Sequence, residues 1–473
     1  MTSRGDGLTV GVDVGTTSVK AAVVDGDGTV LARARVPHPI LTPEADRLEH
    51  DARRAWHQGP RRAYAAVTAE VSRPIAGVAV AAMVPSLTAV DGRGVPVIPG
   101  LLYGDARGRE DNEGVEGTGG AMPDAEGFLR WAIGEAPDAA GYWPAQAVAT
   151  HALSGVPAVD SATTGSFGSL YSPAGWNRPM LEGLGVTDDQ LPVVVPMCQP
   201  GGTVPGTDTV FTGGSIDALC DQVVSGATEP GDVLAIFGAT LVIWVVTDHW
   251  CEAPGLFTVP HTVPDRVLIG GPSNAGALFV DWARRLLRVP RTPKTATGVL
   301  SASAEAADDP GAVEALRPGD PRRVPVWLPY LRGERSPLND PMLRASVHGL
   351  DITQDASAIE RGAYEASGFV IRRMLDRAGV AGRRVVASGG GARVGPWMAG
   401  VADATGLPVD CVAVPEGAAF GAAFFARLAA GLEGSLADAS RWARVGRRIE
   451  PDPAWAGLAD DRYRRFSELG PGT

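Results

Sequence analysis

Lysine is almost missing from this chain: among 473 residues it occurs only at Lys20 and Lys294, and arginine carries the rest of the positive charge. The bias reads as genomic base composition more than as chemistry. Positive charge is also the minority, 42 Lys and Arg against 54 Asp and Glu, a net charge of −12. An acidic surface keeps a protein dispersed and argues against nucleic acid or an anionic membrane as partner. Cysteine is scarce, and Cys198, Cys220, Cys251 and Cys411 form no Cys-x-x-Cys pair. Neither a disulfide framework nor a zinc site is suggested, and core thiols are expected. The longest apolar run, Val233 to Val246, has Gly238 in its middle and falls short of the roughly 20 residues that span a bilayer. Met1 to Gly7 is polar, so no secretory leader is expected and the cytoplasm is the default location.

What is present is the composition of a soluble globular protein that can bury a large interior. Apolar residues make up 45% of the chain, and its length is too great for one core, which predicts two or three domains. The stretch that organises the rest is Leu8 to Asp27. It alternates as a strand carrying Asp13, a Gly15-Thr16-Thr17 turn, and a second strand ending in Asp-Gly turns. A Walker A loop would open a helix with Gly-Lys-Ser/Thr. Here Ser18-Val19-Lys20-Ala21 continues as strand, so this is not a P-loop. The turn instead offers backbone N–H groups and two hydroxyls to a phosphate, with Asp13 beside them to hold the hydration shell of a Mg²⁺ ion. An ordinary surface hairpin is the plain alternative.

A third strand is expected at Thr29 to Val36, a helix at Asp51 to Ser72 announced by Glu49-His50-Asp51, with Trp56, Ala63 and Val67 on one face, and a covered strand at Gly77 to Met83. Met83-Val84-Pro85-Ser86 ends that strand and Leu87 to Val90 resumes it. Leu101 to Arg107 then packs Tyr103, Asp105 and Arg107 together. Asn112 to about Met180 reads as an insertion forming one wall of a cleft, with helices near Phe128 to Ile133 and Pro144 to Leu153. Gly213-Gly214-Ser215-Ile216-Asp217 opens a helix, Ile216 to Gly226. Asp232 to Thr247 is a second apolar hairpin turning at Gly238-Ala239-Thr240, an echo of the first that points to two related α/β domains. Any long α/β chain could hold two such hairpins. Further on, Gly270 to Gly276 leads into a helix, Arg288 to Arg323 is a polar connector, and Asp355 to Ala378 is a long amphipathic helix. Arg383 to Ala387 is a strand ending in Ser388-Gly389-Gly390-Gly391, Glu416 to Gly431 is a helix, and the tail is helical and charged. Val394 stands where a dinucleotide fingerprint needs its third glycine, so the glycine run better suits an adenine or ribose lying flat.

Taken in order, Gly11-Val12-Asp13-Val14-Gly15-Thr16-Thr17, Tyr103-Gly104-Asp105-Ala106-Arg107, Gly214-Ser215-Ile216-Asp217, Gly238-Ala239-Thr240, Gly333-Glu334-Arg335-Ser336-Pro337 and Ser388-Gly389-Gly390-Gly391-Ala392 resemble the FGGY carbohydrate kinase family. The resemblance covers about residues 8 to 432. It implies an α/β fold of two actin-like, ribonuclease-H-like domains with a central cleft, divided here as 1–227, 228–432 and a helical tail 433–473. It implies ATP-dependent phosphorylation of a sugar or polyol, a pentulose first, with ATP and Mg²⁺ as cofactors and a small sugar as partner. The oligomer is open, a homodimer among the choices.

Carried over residue by residue, Asp217 matches the catalytic base, and as a carboxylate it can take the proton of an attacking alcohol. A first-turn acid favoured by the helix dipole would look the same. Asp13 matches the acid at Mg²⁺. Gly15, Thr16, Thr17, Gly238 and Thr240 match the phosphate loops, and Gly390, Gly391 and Ala392 match the adenosine site. Met83, Val84, Tyr103, Asp105 and Arg107 fall on the sugar pocket, although Asp105 and Arg107 could equally be a buried ion pair. Members acting on xylulose usually show Met-His-Gly where this chain has Met83-Val84-Pro85, which puts that sugar in doubt. Tyr103 replaces a tryptophan, and Ala239 removes one hydroxyl from the second phosphate loop. The alternatives to a pentulose are glycerol, a tetritol or a sugar acid, and outside this class a non-catalytic ATP-binding switch.

Overall fold

The structure is a computed structural model that describes residues 7–44, 47–107, 124–172, 174–287, 317, 319–414 and 417–471. It divides into two compact units, Met1–Val224 with Glu416–Trp442, and Ser225–Pro415 with Ala443–Thr473.

In the first unit Leu8–Val14 pairs antiparallel with Ser18–Val24, and that strand with Val30–Pro37. This is the meander that the alternation predicts. Ile75–Ala82 runs parallel to the other edge of Leu8–Val14, followed by Val210–Thr212 and Pro200–Thr203. Leu8–Val14 is buried at every position, as a strand paired on both edges and covered by helices should be. The helix expected at 51–72 is a π-helical turn, Arg53–Gln58, running into an α-helix, Gly59–Thr68. The expected start holds, since the Asp51 carboxylate accepts the Arg54 N–H at 3.0 Å. Trp56, Ala63 and Val67 are buried.

One sequence expectation changes here. Ser86–Val90 does not resume Ile75–Ala82 but joins a separate four-stranded sheet in the order Glu49–His50, Gly100–Leu102, Ser86–Val90, Gly141–Trp143. With helix Asp124–Glu135, that sheet encloses its own core around Leu87, Leu101, Phe128 and Tyr142. Residues 112–123 and 173 of the supposed insertion, and 288–316 and 318 of the supposed connector, lie outside the described residues.

The expected domain limits also shift. Helix Gly417–Ala429, assigned from sequence to the second domain, packs on Leu8–Val14 and Ile75–Ala82 of the first unit. Glycines explain how it comes so close. A Cβ on Gly11 would lie 1.7 Å from the Ala419 carbonyl oxygen, and one on Gly77 would lie 2.7 Å from that of Ala426. The helix returns the favour at Gly421, whose added Cβ would meet the Cys220 carbonyl oxygen at 1.9 Å.

The second unit repeats the theme. Asp232–Phe237 pairs antiparallel with Leu241–Thr247, as the second hairpin predicts, and lies parallel to Arg384–Ser388. The seven-stranded sheet runs Phe257–Pro260, Val267–Ser273, Leu241–Thr247, Asp232–Phe237, Arg384–Ser388, Val409–Val412, Val445–Ile449. Its last strand belongs to the tail, which is therefore not purely helical, although helix Pro453–Leu469 follows. The long helix is Ala356–Ala378, capped by the Asp355 carboxylate on the Ala358 N–H at 2.9 Å and ended by Gly379 at φ 66°. Only a residue at ease with positive φ stops a helix in this way. Among the described residues no helix is long and apolar enough to cross a membrane, and all four cysteines are free, two buried and two partly so.

Candidate active site

The first hairpin sets Asp13 directly across from Lys20, and the ammonium reaches the buried carboxylate at 3.0 Å. That carboxylate, with burial working against it, raises the Lys20 pKa. The Gly15-Thr16-Thr17 turn between them is partly exposed while the strands beside it are covered. Its carbonyls are tied back into the protein: His50 Nε2 lies 2.7 Å from the Thr16 oxygen, and the His38 backbone N–H donates to the Thr17 oxygen at 3.1 Å. The Thr16 hydroxyl meets the Tyr103 hydroxyl at 2.7 Å.

Asp217 arrives by a tightly held turn. The Gln146 amide donates to the Gly213 carbonyl, and Gly214, at φ 72°, passes so near Val80 that a Cβ would lie 1.9 Å from its carbonyl oxygen. Ser215 donates to the fully buried Asp160 carboxylate at 2.8 Å. Ser215–Ile216 then pairs with Ala81–Ala82, so the helix begins at Asp217 itself and runs to Ser225. The Asp217 carboxylate accepts the Ala218 N–H at 2.7 Å. Burial, then the charges of Asp13 and Asp221, push its pKa from 3.8 up to about 7. The structure thus brings the sequence-predicted Asp13 and Asp217 into electrostatic reach of each other. It adds Lys20 and Asp221, which sequence reasoning had not placed at a site. Asp221 was discoverable, being one helical turn beyond Asp217.

Tyr103, Asp105 and Arg107 do fall together. Asp105 is fully buried, and its two oxygens take the Leu48 N–H at 2.6 Å, the Arg107 backbone N–H and Nε at 2.9 Å each, and Arg107 Nη2 at 2.7 Å. Arg107 Nη2 also meets Glu49 at 2.6 Å, and its guanidinium lies 4.7 Å from the Trp131 ring centre. Of the two sequence readings of Asp105, the ion pair describes this geometry. Nearby, Met83 is buried and Val84 is partly exposed.

The second unit holds its own turn by the same means. The Ala277 and Leu278 N–H groups, at the start of helix Ala277–Leu286, donate to the Gly238 and Ala239 carbonyls at 3.0 Å each. A trans peptide points its N–H opposite its carbonyl, so the Ala239 and Thr240 amides face away from that helix. Gly276 must be glycine for this approach, since a Cβ would lie 2.3 Å from the Thr240 carbonyl carbon. Just before it, the buried Glu334 carboxylate accepts from the Ser273 hydroxyl at 2.8 Å, the Asn274 N–H at 2.9 Å and the Arg335 N–H at 2.7 Å. Burial raises its pKa to about 7. In the glycine run, Gly389 takes φ 83° and leads into a short 3₁₀ turn, Gly390–Arg393. A Cβ on Gly390 would meet nothing within 4 Å, whereas one on Gly391 would strike Trp397 at 2.6 Å and Phe237 at 2.8 Å. Gly390 therefore offers the open backbone, while Gly391 and Ala392 are buried behind it.

Known proteins carry the same pattern. The N-terminal domain of the FGGY family of carbohydrate kinases matches residues 8–121, and its C-terminal domain matches residues 233–430. Xylulose kinase of Escherichia coli (strain K12) is 24% identical over 466 residues, covering 90% of this chain and 91% of that protein. Gluconokinase of Bacillus subtilis (strain 168) is 23% identical over 438 residues, covering 83% of this chain and 82% of its own. The crystal structure of xylulose kinase from Rhodospirillum rubrum superposes with a TM-score of 0.74 at 25% identity, over 98% of both chains. With the two domain matches together spanning well over half of its length, the chain belongs to the FGGY family of carbohydrate kinases and is an ATP-dependent sugar kinase.

Proposed function

We propose that this kinase phosphorylates a hydroxyl of a small neutral ketose, a pentulose first, with Asp217 as the general base. The observation that carries the reading is the Asp217 carboxyl, held at a helix start with a pKa of about 7. A base is most effective when its pKa lies near the working pH, because it is then both ionised and basic enough to take a proton. Asp217 accepts the hydroxyl proton as the oxygen attacks the terminal phosphorus, and the proton stays on its carboxyl. The P–O bond to the leaving diphosphate breaks as the new one forms, giving the sugar phosphate and ADP.

The turns at Gly15–Thr17 and Gly238–Thr240 are the phosphate-binding elements of this reading, and Gly390 is the open glycine for adenosine. Asp13, Asp217 and Asp221 outnumber the local cations Lys20 and Arg35. An excess of negative charge suits a divalent ion arriving with the nucleotide. Mg²⁺ is commonly held by one or two carboxylates together with substrate phosphates. Asp13 is the carboxylate assigned to it. When bound, Mg²⁺ neutralises charge on the phosphate oxygens. The use of ATP as donor supports a cytoplasmic location.

The relatives named for xylulose and for gluconate are almost equally similar in sequence. A specific observation favours the neutral sugar. A cation is one strong way to hold a sugar acid, and the guanidinium of the pocket segment, Arg107, is already bound by both Asp105 and Glu49. The test is ADP release against a panel of ketopentoses, ketohexoses, polyols and aldonates. The reading expects the highest kcat/KM on a ketopentose and at least tenfold less on any aldonate. Preference for an aldonate would overturn it.

A further inference from the structure

The Glu49-His50-Asp51 segment reads from sequence as no more than a helix start, yet two of its residues reach into the site. Glu49–His50 is a two-residue strand paired with Gly100–Leu102. Neighbouring residues on a strand point to opposite sides. Glu49 turns to Arg107 at 2.6 Å, and His50 turns to the Thr16 carbonyl at 2.7 Å. Leu48, just before them, donates its N–H to Asp105 at 2.6 Å.

We propose that His50 is a positioning residue for the turn Gly15–Thr17, and that Leu48–His50 locks this turn to the pocket segment Tyr103–Arg107. The proposal rests on the assignment of that turn to phosphate binding.

The tautomer of His50 is fixed by its neighbours. Trp56 Nε1–H donates to Nδ1 at 2.9 Å, so Nδ1 is the bare nitrogen and Nε2 carries the hydrogen given to Thr16. The ring is fully buried, with the edge of His38 packed on it at 4.5 Å between centres. Burial, then His38, hold its pKa down at about 3, so the ring stays neutral and the tautomer persists. Because the Thr16–Thr17 peptide is planar, pulling the Thr16 oxygen toward His50 aims the Thr17 N–H the other way. That is how a carbonyl contact on one side of a turn fixes a donor on the other. The Thr16–Tyr103 hydroxyl bond closes the ring of contacts from turn to pocket segment and back through residues 48–50.

The test compares nucleotide binding by calorimetry in the full-length protein. His50→Phe removes both hydrogen bonds, whereas His50→Gln keeps an N–H for Thr16 and an oxygen for Trp56. Loss of one buried hydrogen bond that aims a phosphate donor is expected to weaken ATP binding by about tenfold. Adenosine affinity should stay within about twofold and His50→Gln within about threefold of the unchanged protein. A merely structural loss would move ATP and adenosine together and would not respond to glutamine. Equal loss for both ligands, unchanged ATP affinity, or a His50→Gln no better than His50→Phe overturns the proposal. Should His50→Phe fail to fold, Tyr103→Phe carries the comparison, removing one oxygen and the bond to Thr16. A fall of about threefold in ATP affinity with adenosine unchanged supports the lock, and no fall overturns it. Thr17→Ala separates the two levels. If both it and Thr17→Pro, which removes the backbone N–H that alanine keeps, leave ATP affinity unchanged, the phosphate assignment falls and this proposal with it. If it weakens ATP while His50→Phe does not, only the proposal falls.

Discussion

Replacing Asp217 by asparagine should make the first unit more stable while it removes activity. The folded environment raises the Asp217 pKa from 3.8 to about 7, so at high pH the folded state must hold a charge that water would hold more easily. Below about pH 4 the group is protonated in both states and contributes nothing. Between about pH 4 and 7 the unfolded chain releases its proton while the folded one keeps it, and stability falls as pH rises through that window. Above pH 7 the penalty is constant. One pKa unit is worth about 1.4 kcal/mol, so the full shift corresponds to about 4 kcal/mol. Asp217 as a residue is partly exposed, and discounting for solvent screening brings the expected figure to about 2 kcal/mol. Asparagine keeps an oxygen for the Ala218 N–H and carries no charge against Asp13 and Asp221. For a unit of this size, about 2 kcal/mol raises the melting temperature by roughly 4–8 °C. Scanning calorimetry of both proteins at pH 8 and pH 5 should show the gain at pH 8 and most of it gone at pH 5. An Asp217→Asn protein that melts lower at pH 8, or gains equally at both, refutes the electrostatic reasoning.

The same shift governs the rate. With ATP varied at saturating sugar, so that the nucleotide-free site titrates, kcat/KM should fall about tenfold per pH unit below about pH 7 and level off above it; a profile flat from pH 5.5 to 8 would contradict the raised pKa of the base. Gly11→Leu should abolish soluble expression or lower the melting temperature by more than 10 °C, since even a Cβ would lie 1.7 Å from the Ala419 oxygen and overpacking typically costs about 1–3 kcal/mol or more; a stable variant would mean that helix Gly417–Ala429 does not pack there. Arg107→Met leaves the fully buried Asp105 without its guanidinium partner, a loss of about 3–5 kcal/mol. Denaturant unfolding should show it, and a loss below about 1 kcal/mol would return Asp105 to the substrate contacts.

Much of this was legible because local chemistry and tertiary structure agree. Both hairpins, the Asp217 turn and the Asp355-capped helix are announced by glycines, acids and alternation that mean the same thing in isolation as in the fold. The destination of helix Gly417–Ala429 was not legible, because its buried residues span nearly the whole helix and so name no partner. The glycines at 11, 77 and 421 were the available sign, since a glycine inside a strand or helix marks close approach. Ser86–Val90 misled for a similar reason: two apolar runs separated by Val84-Pro85 look like one interrupted strand, and only sheet pairing separates them. His50 was hidden altogether. Its role depends on Thr16 and Trp56, one of them 34 residues away, and nothing local distinguishes a strand histidine from a helix-start histidine.

Phosphoryl transfer from labelled ATP to a ketopentose by Asp217→Asn, at saturating concentrations of both substrates, examines the proton-accepting carboxyl most directly. The account predicts a rate lower by about 10²–10⁴ with the dissociation constant for ATP within about twofold of the unchanged protein. A rate within tenfold of that protein's would show that another group takes the proton.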